Sequence, residues 1–514
     1  MIEPAPQAAG QRPFPDFVPA DGDDRTLEAN ARPLGWINPT PAGRYNLVVL
    51  GAGTAGLVAA AGAAGLGAKV ALVEKHLMGG DCLVVGCVPS KALIRSSRAA
   101  ADARDAARFG VQIPDGVAVD FPAVMSRMRR LRAGLSPVDS AERFRGLGVD
   151  VFLGAGRFVG PDAVEVDGRT LRFSKAVIAT GSRPAVPAIP GLAEAGYQTN
   201  ETVFSLADRP RRMAMIGGGP IGCELAQAFA RFGASVTLIR GAHPLLGGED
   251  RDAVALVERS LRRDGVEILE AEVARVRREG GERVLSLGGG DDARELRVDE
   301  ILVAVGRDPG IDGLGLDAAG VAVGRAGVAV DARLRTSNPR IFAAGDVCSR
   351  FRYTHAADAM ARVAIRNALF LGREDVGKLV IPRCTYTDPE VAHVGLDEAE
   401  AGRRGIRART FRQELGGVDR AVLDGEAEGF VKVLVREGSD EILGATIVAR
   451  HAGEMISELT LAIVGRVGLR ALARTIHPYP TQAEAIRKVA DAYNRTRLTP
   501  FVRRVFERWL AWSR

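Results

Sequence analysis

The chain has 514 residues, 46% of them hydrophobic, which is too much for one compact core and implies roughly two to four domains able to bury large cofactors. Its formal net charge of +6 comes mostly from arginine interspersed with acids, a pattern of composition that argues against nucleic-acid binding. Five scattered cysteines (Cys82, Cys87, Cys223, Cys348 and Cys384) do not form the disulfide framework of a secreted protein, so a cytoplasmic location is expected.

Residues 1–44 are rich in proline and small residues and carry the acidic cluster Asp21, Asp23 and Asp24. A mobile or surface-draped tail is expected there, with Trp36 the one residue suited to docking. The opening segment lacks the basic and apolar regions of a secretory signal, and no apolar run is long enough to span a bilayer. At Tyr45 the apolar run NLVVL leads into Gly51, Gly53 and Gly56, a G-x-G-x-x-G that opens an alanine-rich helical stretch. Such glycines allow a tight turn, close approach of backbone to a pyrophosphate, and close helix–strand packing. The next strand, KVALVEK, places Glu74 about 20 residues on, where an acid can bind ribose hydroxyls. Further apolar runs ending in glycine turns (AVIAT, RMAMI, IFAAG) imply repeated βα units and parallel sheets, whereas the chain from about residue 382 reads as a separate α+β domain.

After Glu74 comes MGGDCLVVGCVPSKAL, in which four residues separate Cys82 from Cys87. An ideal helix, at roughly 100° per residue, would hold the two side chains about 140° apart. A bridge therefore needs a distorted turn, which Gly86 makes cheaper, and a bridge in unfavourable geometry is easily reduced. Lys91 nearby would favour anionic intermediates. Two unrelated buried thiols, or half of a metal site, are the alternatives; no second Cys/His pair at ligand spacing supports the metal, and no metal site is assigned.

The GGDC-x4-C-VPSK run resembles the active-site signature of the class I pyridine nucleotide-disulfide oxidoreductases, and the resemblance extends from about residue 45 to 497. It implies an α/β fold with two Rossmann-like nucleotide-binding domains and a C-terminal α+β dimerisation domain. The boundaries are a tail over 1–44, an FAD domain in two parts (45–200 and 310–381), an NAD(P)H domain (201–309), an interface domain (382–497) and a basic C-terminal tail (498–514). By that resemblance Cys87 is the flavin-proximal thiol and Cys82 the one that exchanges with substrate, while Lys91 pairs with Glu224 near the flavin. The FAD contacts would include Gly156, Thr180, Gly181, Ser182 and Asp346.

Gly217, Gly219 and Gly222 in MIGGGPIGCELA repeat the strand–glycine–helix arrangement, and Gly306 resembles the turn that closes the NAD(P) site. The strand after them ends in Arg240 rather than an acid, which suits the 2′-phosphate of NADPH, with NADH as the alternative. In HPYPTQAEA the family's H-P-x-x-x-E pattern aligns Tyr479 with the acid–base histidine and Glu484 with its glutamate, and His477 lies two residues early. A tyrosine of pKa near 10 is a poor base at neutral pH, so the pattern is closer to the mercuric reductase branch than to dihydrolipoamide or glutathione turnover. That branch's C-terminal vicinal cysteines and N-terminal metal-binding module are missing.

The acceptor is thus expected to be a disulfide or soft metal ion. A quinone or dye reductase with the flavin as electron exit and a docking subunit of a larger complex are the rival readings. Tyr479 and Glu484 would reach the site from the second subunit of a homodimer. The C-terminal run FVRRVFERWLAWSR sets Val502, Val505, Phe506, Trp509 and Leu510 at helical spacing opposite Arg503, Arg504, Glu507 and Arg508. It is suited either to weak contact with an anionic membrane or to packing on protein.

Overall fold

The computed structural model describes residues 21–41, 43–114, 116–288, 294–370 and 372–514. Its first helix, α1 (Gly22–Ala31), starts at Asp21, whose carboxylate accepts from Asp24 N (3.0 Å). Asp23 and Asp24 occupy the first turn, where the helix dipole favours anions. Here the structure departs from the expected tail: Asp24 is buried and salt-bridged to Arg132, while Asp21 pairs with Arg129. The acidic cluster looked solvated because each partner lies 108 residues away in sequence. Trp36 does dock, donating from Nε1 to Val151 O (3.1 Å), and the Asn38 amide pairs with both backbone groups of Leu153. The remainder of the expected tail, residues 1–20, lies outside the described residues.

Strand β1 (Arg44–Leu50) begins the nucleotide-binding core, followed by α2 (Thr54–Gly65) and β2 (Val70–Glu74). The redox segment forms α3 (Gly80–Val84) and α4 (Cys87–Arg104), and α5 (Phe121–Leu135) packs against α1 and α4. Strands β3 (Val149–Leu153), β4 (Arg157–Gly160), β5 (Ala163–Val166) and β6 (Arg169–Ile178) complete a sheet of order β3-β2-β1-β6-β5-β4, with Ile341–Ala343 also pairing on β6. β1 runs parallel to β2 and β6, and its residues Leu47 to Leu50 are almost wholly buried, as a central strand covered on both faces requires. A second parallel set joins Ser235–Arg240, Arg212–Ile216 and Glu300–Val303. The fold is therefore α/β with two glycine-turn nucleotide units.

Two compact units are present: residues up to Ala242 with Ile268–Leu379, and His243–Glu267 with Val380–Arg514. The helix Arg251–Arg263 belongs to the second unit, where Asp250 at its start pairs with Lys432 (2.7 Å) and Ser260 bonds the Asp388 carbonyl. That unit is built on an antiparallel sheet of Arg383–Thr385, Glu390–Gly395, Ile442–Ala449, Phe430–Arg436 and Ala408–Glu414. Ile456, Leu459, Ile486 and Val489 from its helices close the core. The expected C-terminal helix forms over Pro500–Trp512 with none of its residues buried. Among the described residues no helix is long and apolar enough to cross a membrane.

Gly444 lets the strand Ile442–Ala449 pass close to the backbone just beyond Glu390–Gly395: a Cβ there would lie 2.1 Å from Leu396 O. Gly444→Ala is expected to cost about 1–3 kcal/mol through overpacking and to lower the calorimetric unfolding midpoint by several degrees. An unchanged midpoint would mean that the strand simply slides.

Candidate active site

The first glycine turn is shaped by contacts that exclude side chains. Gly51 has φ +98°, and a Cβ on it would meet Ala179 O at 2.5 Å; one on Gly56 would meet Gly51 O at 1.8 Å. Gly53 caps α2 with no side-chain hydrogen bond, so the N–H groups of the first turn stay directed at the cradle. Glu74, at the end of β2, accepts from Ala52 N (2.6 Å) and His76 N (2.7 Å), and burial raises its pKa. Gly156 lies against Val73 and Leu50 beneath this strand end. Thr180 donates to Gly310 O (2.6 Å), Gly181 takes φ +67°, and Ser182 donates to Asp346 Oδ2 (2.6 Å). The structure thus gathers Gly51, Gly53, Gly56, Glu74, Gly156, Thr180, Gly181, Ser182 and Asp346 around one sheet, a cradle of backbone donors and carboxylates that fits FAD.

The cysteines sit on either side of a break in the helix. Gly86, at φ −128° and ψ −116°, separates α3 from α4, and a Cβ on it would lie 2.6 Å from Asp81 O. The distortion that the spacing requires is therefore present, and it leaves the Cys82 and Cys87 thiols near enough for each to shift the other's acidity through an S–H···S bond. That bond is the first cause of a split in their acidities: it lowers the pKa of Cys87 to about 6 and pushes Cys82 well above the usual thiol range. The Thr354 hydroxyl (3.3 Å from Cys87 Sγ) and the Lys91 ammonium also favour the Cys87 thiolate, against burial and Glu224. Lys91 Nζ is 2.8 Å from Glu224 Oε2, the pairing expected from the resemblance.

The second glycine turn repeats the first. Gly217 has φ +120° with a would-be Cβ 2.4 Å from Ala304 O, Gly222 packs on Gly217 O, and Gly219 caps Pro220–Arg231 without a side-chain bond. Gly306, at φ +129°, opens onto space a side chain would enter. This cradle fits a nicotinamide dinucleotide. Arg240 stands at the expected strand end but is ion-paired with Glu270, an acid that sequence spacing did not bring to notice.

Tyr479 and Glu484, aligned with the family's histidine and glutamate, each have another partner within the chain. The Tyr479 hydroxyl, on a side chain 70% exposed, donates to Asp419 Oδ2 (2.9 Å), which raises its pKa. Glu484 accepts from Arg487 (2.7 Å) because that residue follows one helical turn later. His477, the displaced histidine, has Nε2 3.0 Å from Glu458 Oε1 and Nδ1 facing Thr475 O, so it is engaged elsewhere.

Sequence reading missed Arg307. Its guanidinium bonds Asp81 of α3 and Ser182 Oγ (2.7 Å), and it lies 3.9 Å from Asp346, tying the redox helix to the FAD cradle. The signal was its place directly after Gly306. Thr354 gave none, being 267 residues from Cys87.

A family model described as pyridine nucleotide-disulphide oxidoreductase matches residues 45–361, and the dimerisation domain of the same family matches 381–490. The mercuric reductase of Streptomyces lividans is 36% identical over 457 residues, covering 87% of this chain and 96% of its own. The dihydrolipoyl dehydrogenase of Chlamydia muridarum is 35% identical over 451 residues, covering 86% and 95%. Among solved structures, the HOCl-induced flavoprotein disulfide reductase RclA of Escherichia coli superposes with a TM-score of 0.77 at 26% identity, covering 87% of this chain and 99% of that one. LpdA of Mycobacterium tuberculosis gives 0.79 at 27% identity over the same shares. Matched in order along nearly the whole chain, on a fold with two glycine cradles, this protein belongs to the pyridine nucleotide-disulphide oxidoreductases, flavoenzymes that use FAD and NAD(P)H.

Proposed function

We propose that Cys82 and Cys87 alternate between disulfide and dithiol, carrying an electron pair from NADPH, by way of bound FAD, to a soft metal ion or a disulfide. The observation that carries this reading is the placement of Cys82 and Cys87 on either side of the break at Gly86, with the Thr354 hydroxyl 3.3 Å from Cys87 Sγ and the Lys91–Glu224 pair beside it. When bound, FAD supplies the two-electron chemistry that links nicotinamide to sulfur. The chain's own groups do the rest. Gly51, Gly53, Gly56 and Glu74 hold the dinucleotide's phosphates and ribose, Ser182 and Asp346 its linker, and Gly156, Thr180 and Gly181 its neighbouring strands. Reduction of the disulfide takes up two electrons and one proton: the S–S bond breaks, Cys82 keeps the proton, and Cys87 is left as thiolate, steadied by Cys82 S–H, Thr354 and Lys91. Glu224 keeps Lys91 in place. Cys82 hands the electron pair on, and re-forming the disulfide returns both sulfurs to the starting state.

The dimerisation-domain match supports a homodimer, in which Tyr479 and Glu484 of a second copy would complete the site. Tyr479, its pKa raised by Asp419, is a weak proton acceptor at neutral pH. That favours an acceptor able to combine with thiolate directly, such as a soft metal ion, over one that needs base-assisted thiol exchange. The exposed helix Pro500–Trp512 adds weak contact with an anionic membrane surface to this reading, the enzyme itself residing in the cytoplasm.

Anaerobic NADPH should expose two more Ellman-reactive thiols per chain, and Cys82→Ser should bring NADPH-dependent reduction of Hg(II) and of disulfides to background. Full retained activity would reject the dithiol route and leave the flavin itself as electron exit, as in a quinone reductase. Arg240→Ala should raise KM for NADPH roughly tenfold with little change for NADH, since a charged hydrogen bond is worth ~1.5–3 kcal/mol. Equal effects on both nucleotides would remove the 2′-phosphate role. Removal of residues 500–514 should abolish co-sedimentation with phosphatidylserine vesicles; no difference from the full chain would dismiss the membrane contact.

A further inference from the structure

Helix α3 is a single turn, so the carbonyls at its end have no helical donors and must be satisfied from elsewhere. Val85 O accepts from Asn200 Nδ2 (3.2 Å), and Val84 O accepts from Arg132 Nη1 (2.7 Å). Arg132 reaches back with Nη2 to Asp24 Oδ1 (2.6 Å), and the two side chains are only 4% and 5% exposed. A guanidinium bridging two acceptors in one plane fixes both. The same N-terminal segment holds the chain beside the redox segment at two more places. Asn30 donates to Ser136 Oγ (2.8 Å) in the turn Ser136–Asp139, whose last residue faces Cys82 electrostatically. Arg32 donates to the carbonyls of Lys75 and His76, and Ala31 O accepts from Met78 N (3.1 Å), just ahead of α3. Asp24, Asn30, Ala31 and Arg32 all precede residue 45, where the family match begins.

We infer that residues 21–38 are a strap that positions the redox turn, with Asp24 and Arg132 acting through the Val84 carbonyl to set the geometry between Cys82 and Cys87. Cys82 lies two residues before Val84 in the same helical turn, so release of that carbonyl lets the Cys82 thiol swing away from Cys87. The other groups that face the pair are Lys91, Glu224, Thr354 and Asp139, none of which bonds the Val84 carbonyl. The consequence is a weaker Cys82-to-Cys87 hydrogen bond and a less acidic Cys87. This inference rests on the dithiol reading above.

The test is the pH dependence of Cys87 alkylation by iodoacetamide, followed by peptide mass spectrometry on full-length protein reduced with a phosphine. No nicotinamide is needed for it. Asp24→Asn and Arg132→Lys should each move the alkylation midpoint up by about half to one unit, a roughly three- to tenfold loss of thiolate at a given pH below it. Trp36→Phe, which frees another part of the strap, should leave the midpoint at the wild-type value. Should Asp24→Asn not fold, Arg132→Lys, which keeps the charge but loses the fork, carries the comparison. Lowered unfolding temperatures with an unshifted midpoint would reduce the strap to a structural brace and overturn the inference. Failure of NADPH to expose thiols in the wild type would instead strike at the proposed function, whatever the alkylation curves show.

Discussion

The break at Gly86 is the constraint on which the site depends. A continuous helix from Gly80 to Arg104 would satisfy its backbone but turn Cys82 away from Cys87. The chain instead ends α3 after one turn and restarts at Cys87, leaving carbonyls to be bonded from a distance. Arg132, Asn200 and Arg307 do this from three separate parts of the sequence, on Val84 O, Val85 O and the Asp81 carboxylate. A bend held only by its own residues would relax into helix; this one is anchored at three points.

That geometry makes two chemically identical groups unlike each other. Sharing one proton, the thiols divide into an anion and a donor, just as two carboxylates in contact cannot both ionise. The surrounding charges confirm the division without dominating it. Lys91 favours the Cys87 thiolate, while Glu224 opposes it and at the same time fixes the lysine. Because Glu224 lies in the helix that follows the second glycine turn, this ion pair also joins the redox helix to the nicotinamide-binding part of the same unit. The buried Asp24–Arg132 pair likewise joins α1 to α5. Loss of one partner from such a pair costs about 3–5 kcal/mol, because the remaining charge is stranded.

On the C-terminal unit the polar groups are arranged differently from a histidine–glutamate pair. Glu484 is neutralised by an arginine on its own helix, and Tyr479 is bound to Asp419. An anion beside a phenol stabilises its protonated form, so this tyrosine is a hydrogen-bond donor rather than a base. The polar groups of this unit thus lack the base that a histidine paired with glutamate would supply.

Local features were legible without coordinates wherever the chemistry is carried by neighbours in sequence. Glycines at fixed intervals after an apolar run, an acid at the end of the next strand and two cysteines flanking Gly86 each state their own requirement, because turn geometry and strand–helix alternation are short-range properties. The amphipathic pattern after residue 497 likewise specified a helix. What could not be read were pairings over long separations: Asp24 with Arg132, Arg307 with Asp81, Thr354 with Cys87, Tyr479 with Asp419. An acidic, proline-rich beginning reads as solvated until its arginines arrive from a helix 108 residues away. The sequence by itself determined the glycine turns, the acid that follows the first of them and the spacing of the two cysteines. Only the tertiary structure decided their partners, since hydrogen bonds and ion pairs depend on distance in space, and distance in space is set by packing.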